Sequence, residues 1–388
     1  MKSGWQTKPL GEVCDIDKAQ GIYRDLPYVG LEHIESRTAR FIGSRRPQSV
    51  RSSTFRFSSE HLLYGRLRPY LNKVLAPDFE GHCSTEVFPI KPRNGLSREY
   101  LLYWFLSDET VDRVNATCTG TRMPRADMND VLAFDFPLPP LPEQQRIVGI
   151  IDEAFAAIAT ARANTEQNLR NARELLEAAT ESAFSTVAEG PAVARPLAEL
   201  CDLIVDCEHR TAPTQDQGIP SIRTPNIGKG RLILDGVNRV SDDTYKSWTR
   251  RVEPRAGDLI LAREAPAGNV AVIPDGLRVC LGQRTVLLRP DRSVFEPAYL
   301  AQLLLQRDSQ RRLLASQRGA TVQHVNVQDI RAFMVLHVPS LAVQEGVVRR
   351  IGALQEDGDA LETCFRKKLS TLDALKQSLL HQAFTGAL

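Results

Sequence analysis

Paired cysteines are missing from this sequence. The seven present (Cys14, Cys83, Cys118, Cys201, Cys207, Cys280, Cys364) are odd in number and scattered, with no CxxC. A disulfide framework and a zinc site are therefore set aside, and free thiols in a reducing cytoplasm are expected. The seven histidines show no HxxxH or HExxH spacing, so they read as structural or surface residues rather than metal ligands. No apolar run approaches a membrane span, and MKSGWQTKPL at the amino terminus lacks a signal-peptide h-region. No GxxxxGK[ST] loop occurs, since Gly228-Lys229-Gly230 is too short. Neither a Gly-rich cofactor loop nor a DPPY- or NPPF-type tetrapeptide is present, which argues against adenine methylation by this chain. A PD…(D/E)xK nuclease would need an acid-x-lysine after Pro77-Asp78, and Glu86-Val87-Phe88 does not supply it.

Charge of one sign is also lacking, the net being +2 over 388 residues. Its distribution is more informative. Residues 1–141 carry 19 basic and 17 acidic side chains, and 191–340 carry 20 and 16. Residues 142–190 carry 4 and 8, while 341–388 balance at 6 and 6. Two mildly basic parts thus alternate with acidic or neutral ones. In both basic parts Arg outnumbers Lys, which suits bidentate contacts to phosphate or guanine; solvated surface arginines explain it equally well.

The stretch PLPPLPEQQRIVGIID and its continuation to Val187 is a proline-rich stop followed by a long helical pattern. Pro142 suits the first helical position, and Glu143 the positive end of the helix. Ile147, Ile151, Ala154, Ile158, Ala161, Ala172, Leu175 and Ala179 form a seam of period about 3.5, interrupted by Thr165 and Asn168. A helix over 142–187 would be roughly 69 Å long and needs a partner. A second seam, Val347, Ile351, Leu354, Leu361, Phe365, Leu372, Leu375 and Leu379, lies 200 residues on. Leu361, Leu372 and Leu379 fall where the first helix has Ala161, Ala172 and Ala179, so small-against-large interdigitation is expected.

The repetition extends beyond the helices. Pro9-Leu10-Gly11-Glu12-Val13-Cys14-Asp15 recurs as Pro196-Leu197-Ala198-Glu199-Leu200-Cys201-Asp202. Leu62-Leu63-Tyr64-Gly65-Arg66, with Pro69 and Asn72, recurs as Leu259-Ile260-Leu261-Ala262-Arg263, with Pro266 and Asn269. Tyr100-Leu101 matches Tyr299-Leu300, and Gly120 to Val131 matches Gly319 to Ile330. Each half reads as mixed α/β, with strands near 86–90 and 285–288 and short helices near 98–105 and 298–305. The run Ala188-Glu189-Gly190-Pro191-Ala192 breaks the first long helix.

With its PLPPLPEQQRIVGIID stretch, its two loops GTRMPRADMNDV (120–131) and GATVQHVNVQDI (319–330), and this duplication, the chain resembles the specificity subunits of type I restriction-modification systems. The resemblance implies α/β (α+β) target-recognition domains in tandem, at 1–140 and 192–339. They would alternate with two spacer helices, 141–188 and 340–388, paired as an antiparallel coiled coil with an internal pseudo-two-fold repeat. It implies a non-catalytic subunit in which each domain reads one half of a bipartite, asymmetric site on double-stranded DNA. The implied partners are two modification subunits, carrying S-adenosylmethionine and the adenine methylation chemistry, and motor-nuclease restriction subunits. No cofactor is implied for this chain. The second helix start, Ser340-Leu341-Ala342-Val343-Gln344, departs from the Pro-Pro-Leu-Pro-Glu wording. The geometry has its own logic: two readers on a rigid rod can sit about 34 Å apart, one DNA turn. The rival reading is a self-sufficient DNA-modifying enzyme with unfamiliar catalytic residues.

The candidate DNA-contacting residues follow from the Gly-led loops, where Gly120 and Gly319 permit close backbone approach. They are Thr121, Arg122 and Arg125 in the first half, and Thr321, Gln323, His324 and Asn326 in the second, since Arg suits guanine and Gln or Asn suits adenine. Structural turn chemistry is the alternative. Arg66, Arg68, Asn72 and Lys73, with Arg263 and Asn269, form a second set, and His209, Arg210 and Thr211 a third. Asp206, Glu208 and His209 also admit an acid–base reading, against which stand their compact loop spacing and the lack of a first-half counterpart. Arg45-Arg46, Arg250-Arg251 and Arg311-Arg312 suit phosphates, which position without specifying, or plain solvated faces.

Overall fold

Strands form where short runs of β-branched and aromatic residues lie between turns, and the long helices form where such runs give way to helical spacing. The computed structural model describes residues 4–120, 122–185, 194–208, 210–315 and 324–388. It divides into two units, Met1–Asn168 with Cys364–Leu388, and Leu169–Thr363.

In the first unit an antiparallel sheet runs in the order Cys14–Ile16, Val87–Pro92, Leu62–Gly65, Val74–Leu75. A second sheet runs Gln20–Gly21, Thr54–Phe57, Gly81–Cys83, Tyr28–Val29, its last pair parallel. The second unit repeats this wiring. Cys201–Asp206, Thr285–Pro290, Leu259–Ala262 and Val270–Val272 make the antiparallel sheet. Arg239–Val240, Ile219–Ile222 and Cys280–Leu281 make the smaller one, whose last pair is again parallel. Two-stranded ribbons, Gln6–Pro9 with Asp135–Leu138 and Arg195–Pro196 with Met334–Val335, bring each unit's chain back beside its beginning.

The two long helices are Leu141–Ser185 and Leu341–Thr385. The expected break at 188–192 and the helix end at Val187 lie outside the described residues. Within each unit a segment of one long helix packs antiparallel on a segment of the other. In the first, Arg146 donates to the Leu388 carbonyl (2.9 Å) and Arg162 pairs with Asp373 (2.6 Å), so one helix ascends as the other descends. In the second, Arg173 pairs with Glu362 (2.7 Å). Three residues on, a Leu176 methyl lies 2.8 Å from where a Cβ on Gly358 would stand, so the absent side chain lets the helices close.

This register corrects the sequence reading of the seam. Positions 200 apart are equivalent by the repeat, but antiparallel helices do not place them face to face. Ala161 and Leu361, like Ala172 and Leu372 or Ala179 and Leu379, fall in different units, so they are not partners within the helix pair of either one. Leu175, Leu361 and Leu375 are 70%, 46% and 46% exposed, and Asn168 is also exposed. Leu169, Leu176 and Lys376, next in the chain to Asn168, Leu175 and Leu375, are less exposed than they are. Ala172, Ala179, Leu372 and Leu379 keep the less exposed places that the seam gave them.

Each unit's core is continuous with its helical segments. Ile147, Ile151, Leu380 and Ala383 join the first core; Val347, Ile351 and Ala183 join the second. The short helices Arg98–Leu106 and Pro297–Leu305 each place a tyrosine against a long-helix phenylalanine: Tyr100 with Phe384 at 5.1 Å, Tyr299 with Phe184 at 5.2 Å. A fully buried glutamine then fixes each helix start. Gln144 accepts from the Ser97 N–H and donates to the Gly95 and Pro139 carbonyls, all at 2.8 Å. Gln344 accepts from the Glu296 N–H (2.9 Å) and donates to the Val294 and Pro339 carbonyls, both at 2.8 Å. The second helix start keeps this clamp, and with it Pro339 in the place of Pro139, although Ser340 and Ala342 stand where the first has Pro140 and Pro142. Among the described residues no helix is long and apolar enough to cross a membrane.

An apolar side chain in place of either glutamine strands three main-chain groups in the interior. Gln144→Leu and Gln344→Leu should each destabilise by about 2–4 kcal/mol in chemical denaturation. A cost below about 0.5 kcal/mol for both, far under that of orphaned buried polar groups, would show that the clamp is not structural.

Candidate nucleic-acid interface

Strand Leu62–Gly65 delivers Arg66 to the place where two other segments converge. The Arg66 N–H donates to the Glu86 carbonyl (3.0 Å), and the Ala126 N–H donates to the Arg66 carbonyl (2.9 Å). The segment 122–126 is thereby laid against the strand end, and one carboxylate joins the arginines of both. Arg66 Nε donates to Glu86 Oε2 (3.0 Å) and Arg125 Nε to Glu86 Oε1 (2.9 Å). The Arg66 guanidinium also lies 5.0 Å from the centre of the Phe88 ring. Burial works to raise the Glu86 pKa, but the hydrogen bonds and charges of Arg125 and Arg66 outweigh it and hold the carboxyl below its ordinary range.

The other first-half candidates separate into two groups. Arg68 and Arg122 are exposed, and neither has an acid partner among the described residues. Lys73 turns inward, its ammonium donating to the Leu31 and Ile34 carbonyls at 2.7 Å each. Asn72 is buried with a left-handed backbone, φ 44°. Thr121 lies outside the described residues.

The second unit keeps the backbone frame and changes the side chains. The Arg263 N–H donates to the Arg284 carbonyl (2.9 Å), and the Val325 N–H to the Arg263 carbonyl (3.0 Å). Arg284 thus stands where Glu86 does and pairs with Glu264 at 3.0 Å. The carboxylate for Arg263 comes from Asp206, met by Nη1 at 3.1 and 2.9 Å, while Arg263 Nε donates to the Val325 carbonyl (3.0 Å). His324 occupies the position of Arg125. Asn326 sits at the amino-terminal cap of helix Val327–Arg331, as Asp127 does for Met128–Leu132.

Asn269 Nδ2 donates to the Ile227 carbonyl (2.9 Å), the tie that Lys73 makes to Ile34. Asn269 therefore corresponds to Lys73, and Asn72 to Gly268, which shares its left-handed backbone at φ 87°. The sequence pairing of Asn72 with Asn269 is off by one because the intervening turn is one residue shorter.

Arg210 lies 4.6 Å over the Trp248 ring, beside Glu208, which also faces Arg251. Thr211 is exposed, whereas His209, Thr321 and Gln323 lie outside the described residues. Asp206 and Glu208 are thus already engaged by arginines, which does not favour the acid–base reading. Of the arginine pairs, Arg45 meets Asp78 at 2.6 Å, and Arg311 and Arg312 share Asp308 at 3.5 and 2.8 Å. Arg250 is held by Ser247, and Arg46 is exposed. Among the described residues no cluster of His, Cys, Asp and Glu could hold a metal ion.

Sequence reasoning missed Glu86, the hub of the first site, because two arginines 59 positions apart in the chain carry no mark of a shared acid. It also missed Trp248, and Tyr70 and Met123, which are 46% and 47% exposed. The Arg-Leu-Arg-Pro-Tyr string at 66–70 was the available signal for Tyr70.

The second unit further holds a cleft of about 820 Å³, lined in part by Leu176, Lys229, Arg231, Gln302 and Gln355. Its cations are already paired, Lys229 with Glu177 and Arg231 with Asp359. In the first unit the equivalent residues Tyr103 and Phe155 pack edge to face at 5.4 Å.

Residues 2–169 match the family of the type I restriction modification DNA specificity domain. The chain is 28% identical over 209 residues to the type I restriction enzyme EcoDI specificity subunit of Escherichia coli, across 53% of this chain and 46% of that protein. It is 24% identical over 300 residues to the EcoBI specificity subunit of Escherichia coli, across 71% and 63%. The chain therefore spans less than two thirds of the length of either curated relative. A solved chain described under "Structural basis underlying complex assembly and conformational transition of the type I R-M system" superposes with a TM-score of 0.80 at 22% identity, covering 100% of this chain and 99% of that one. The HsdS subunit from Thermoanaerobacter tengcongensis superposes at 0.59 and 22% identity, covering 100% and 98%. At these identities the likeness is one of fold.

Because the Glu86 pKa is lowered in the folded state, the stability its charge contributes is complete above the ordinary carboxylate range and is lost as pH falls through the lowered value. Glu86→Gln should lower the melting temperature at neutral pH, and the gap to wild type should narrow progressively as the pH falls below the ordinary carboxylate value of about 4.3. A gap independent of pH would mean that the carboxylate's charge is not what joins Arg66 to Arg125.

Proposed function

We infer that this chain, whose residues 2–169 match the type I restriction modification DNA specificity domain, is the DNA-recognition subunit of such a complex and performs no chemistry itself. Residues 1–140 and 192–339 serve as target-recognition domains, and 141–188 and 340–388 as spacer helices. The target is a bipartite, asymmetric site on double-stranded DNA, one half-site per domain. The observation that carries this reading is a repeated backbone frame bearing different side chains. Arg66, Glu86 and Arg125 stand in one unit where Arg263, Arg284 and His324 stand in the other. Equal frames with unequal donors and acceptors suit unequal half-sites, because bases are distinguished by hydrogen-bond pattern.

The reactive machinery belongs to partners: two modification subunits holding S-adenosylmethionine, and motor-nuclease restriction subunits. No cofactor is assigned to this chain, and the location is cytoplasmic. The paired long helices support a spacer role, since a clamped helix transmits position rather than bending at its root.

The test is to purify the chain with its modification subunits and select bound duplexes from a random pool. Two short motifs of different sequence, separated by an unread gap of set length, are expected. Exchanging residues 1–136 for another such domain should change one motif and leave the other. A pool with no enriched sequence would defeat the reading, and methylated or cleaved DNA made by this chain alone would favour the self-sufficient enzyme.

A further inference from the structure

In the first unit Arg37, Ala39, Arg68 and Asn72 have left-handed backbones without being glycine, and three of them meet at one turn. Arg68 at φ 52° and Asn72 at φ 44° bracket the short 3-10 turn Pro69–Leu71. The Arg37 N–H donates to the Asn72 carbonyl (2.9 Å), and the Arg68 N–H to the Pro124 carbonyl (2.7 Å). Asparagine tolerates this region when its side chain bonds locally. Here both amide atoms of Asn72 are buried with no hydrogen-bond partner among the described residues. The strain is therefore imposed from outside the turn, and strain held in place by its surroundings marks functional segments.

The turn presents Tyr70. Pro69 is buried beneath it, while the tyrosine stands at the apex, 46% exposed. Arg68 is its neighbour in the chain, and the Arg68–Pro124 bond brings the segment carrying Arg122 and Met123 alongside. A rigid aromatic ring loses little side-chain freedom on contact, and a turn fixed at both ends loses little backbone freedom. In the second unit Ala267 occupies the matching position, so no aromatic ring stands there.

Resting on the DNA-recognition reading above, we propose that Tyr70 is a specificity-determining contact of the first recognition domain. Its ring packs on base edges in the DNA groove while Arg68 and Arg122 take flanking phosphates. The contact serves one half-site only.

The test uses the full chain with its modification subunits and a randomised duplex pool. Tyr70→Ala should weaken binding to the wild-type-selected duplex on the order of 10-fold to 100-fold and blur one half-site, leaving the other intact. Tyr70→Phe should preserve affinity and both half-sites. Arg122→Ala should weaken all duplexes alike and reduce the salt dependence of binding. An unchanged melting temperature for Tyr70→Ala, expected of an exposed side chain, separates contact from folding. Wild-type affinity and selectivity in Tyr70→Ala would overturn the proposal, as would Tyr70→Phe impaired as much as Tyr70→Ala. A wild-type complex that enriches no sequence removes the recognition reading and this contact with it.

Discussion

The buried glutamine at the start of each long helix is the constraint on which the rest depends. Its amide offers one acceptor and two donors to three main-chain groups from two other segments. An amide away from water tolerates few geometries, because misplacing it orphans several groups at once. The helix is thus set at a definite angle on its domain, which greasy contacts alone would leave free to slide. Behind the clamp, Tyr100 and Tyr299 receive Phe384 and Phe184. Each domain therefore holds the beginning of one long helix and the end of the other, an arrangement only antiparallel helices can satisfy.

The ion pairs between the helices have a polarity of their own. Arg162 and Arg173 both lie on the first helix, while Asp373 and Glu362 both lie on the second. By the repeat, residue 162 is equivalent to 362 and residue 173 to 373, so the bridge is kept and its sense reversed. In the same antiparallel register, a helix pairing with another copy of itself would set arginine against arginine or acid against acid. Exposed pairs of this kind add little stability; their effect is to discriminate against the wrong partner.

Much of the fold was legible. The repeat at an offset near 200 residues, the two long helices and the α/β character of each half could all be read from periodicity and from order-preserving matches. The recognition surface was less so. Arg66, Arg125 and Arg263 were visible as arginines, but not that Glu86 and Asp206 hold them. Lys73 looked like a DNA contact and instead ties a loop to a strand. A long cationic side chain has the same signature in sequence whether its ammonium meets water, phosphate or a carbonyl.

Local and periodic information resides in the chain itself, because hydrophobic spacing and turn residues act over a few positions. The sequence by itself therefore determined that there would be two α/β halves and two long helices with apolar stripes. Which face each stripe finally buries depended on the partner's direction. An antiparallel neighbour placed Leu176 inside and left Leu175 out, a one-residue choice that spacing cannot make. Tertiary structure alone also decided which charged side chains are held and which stand exposed, since the groups that hold them arrive from segments tens of residues away. The bend that raises Tyr70 is likewise held by distant hydrogen bonds, and no local propensity of Arg68 would have chosen it.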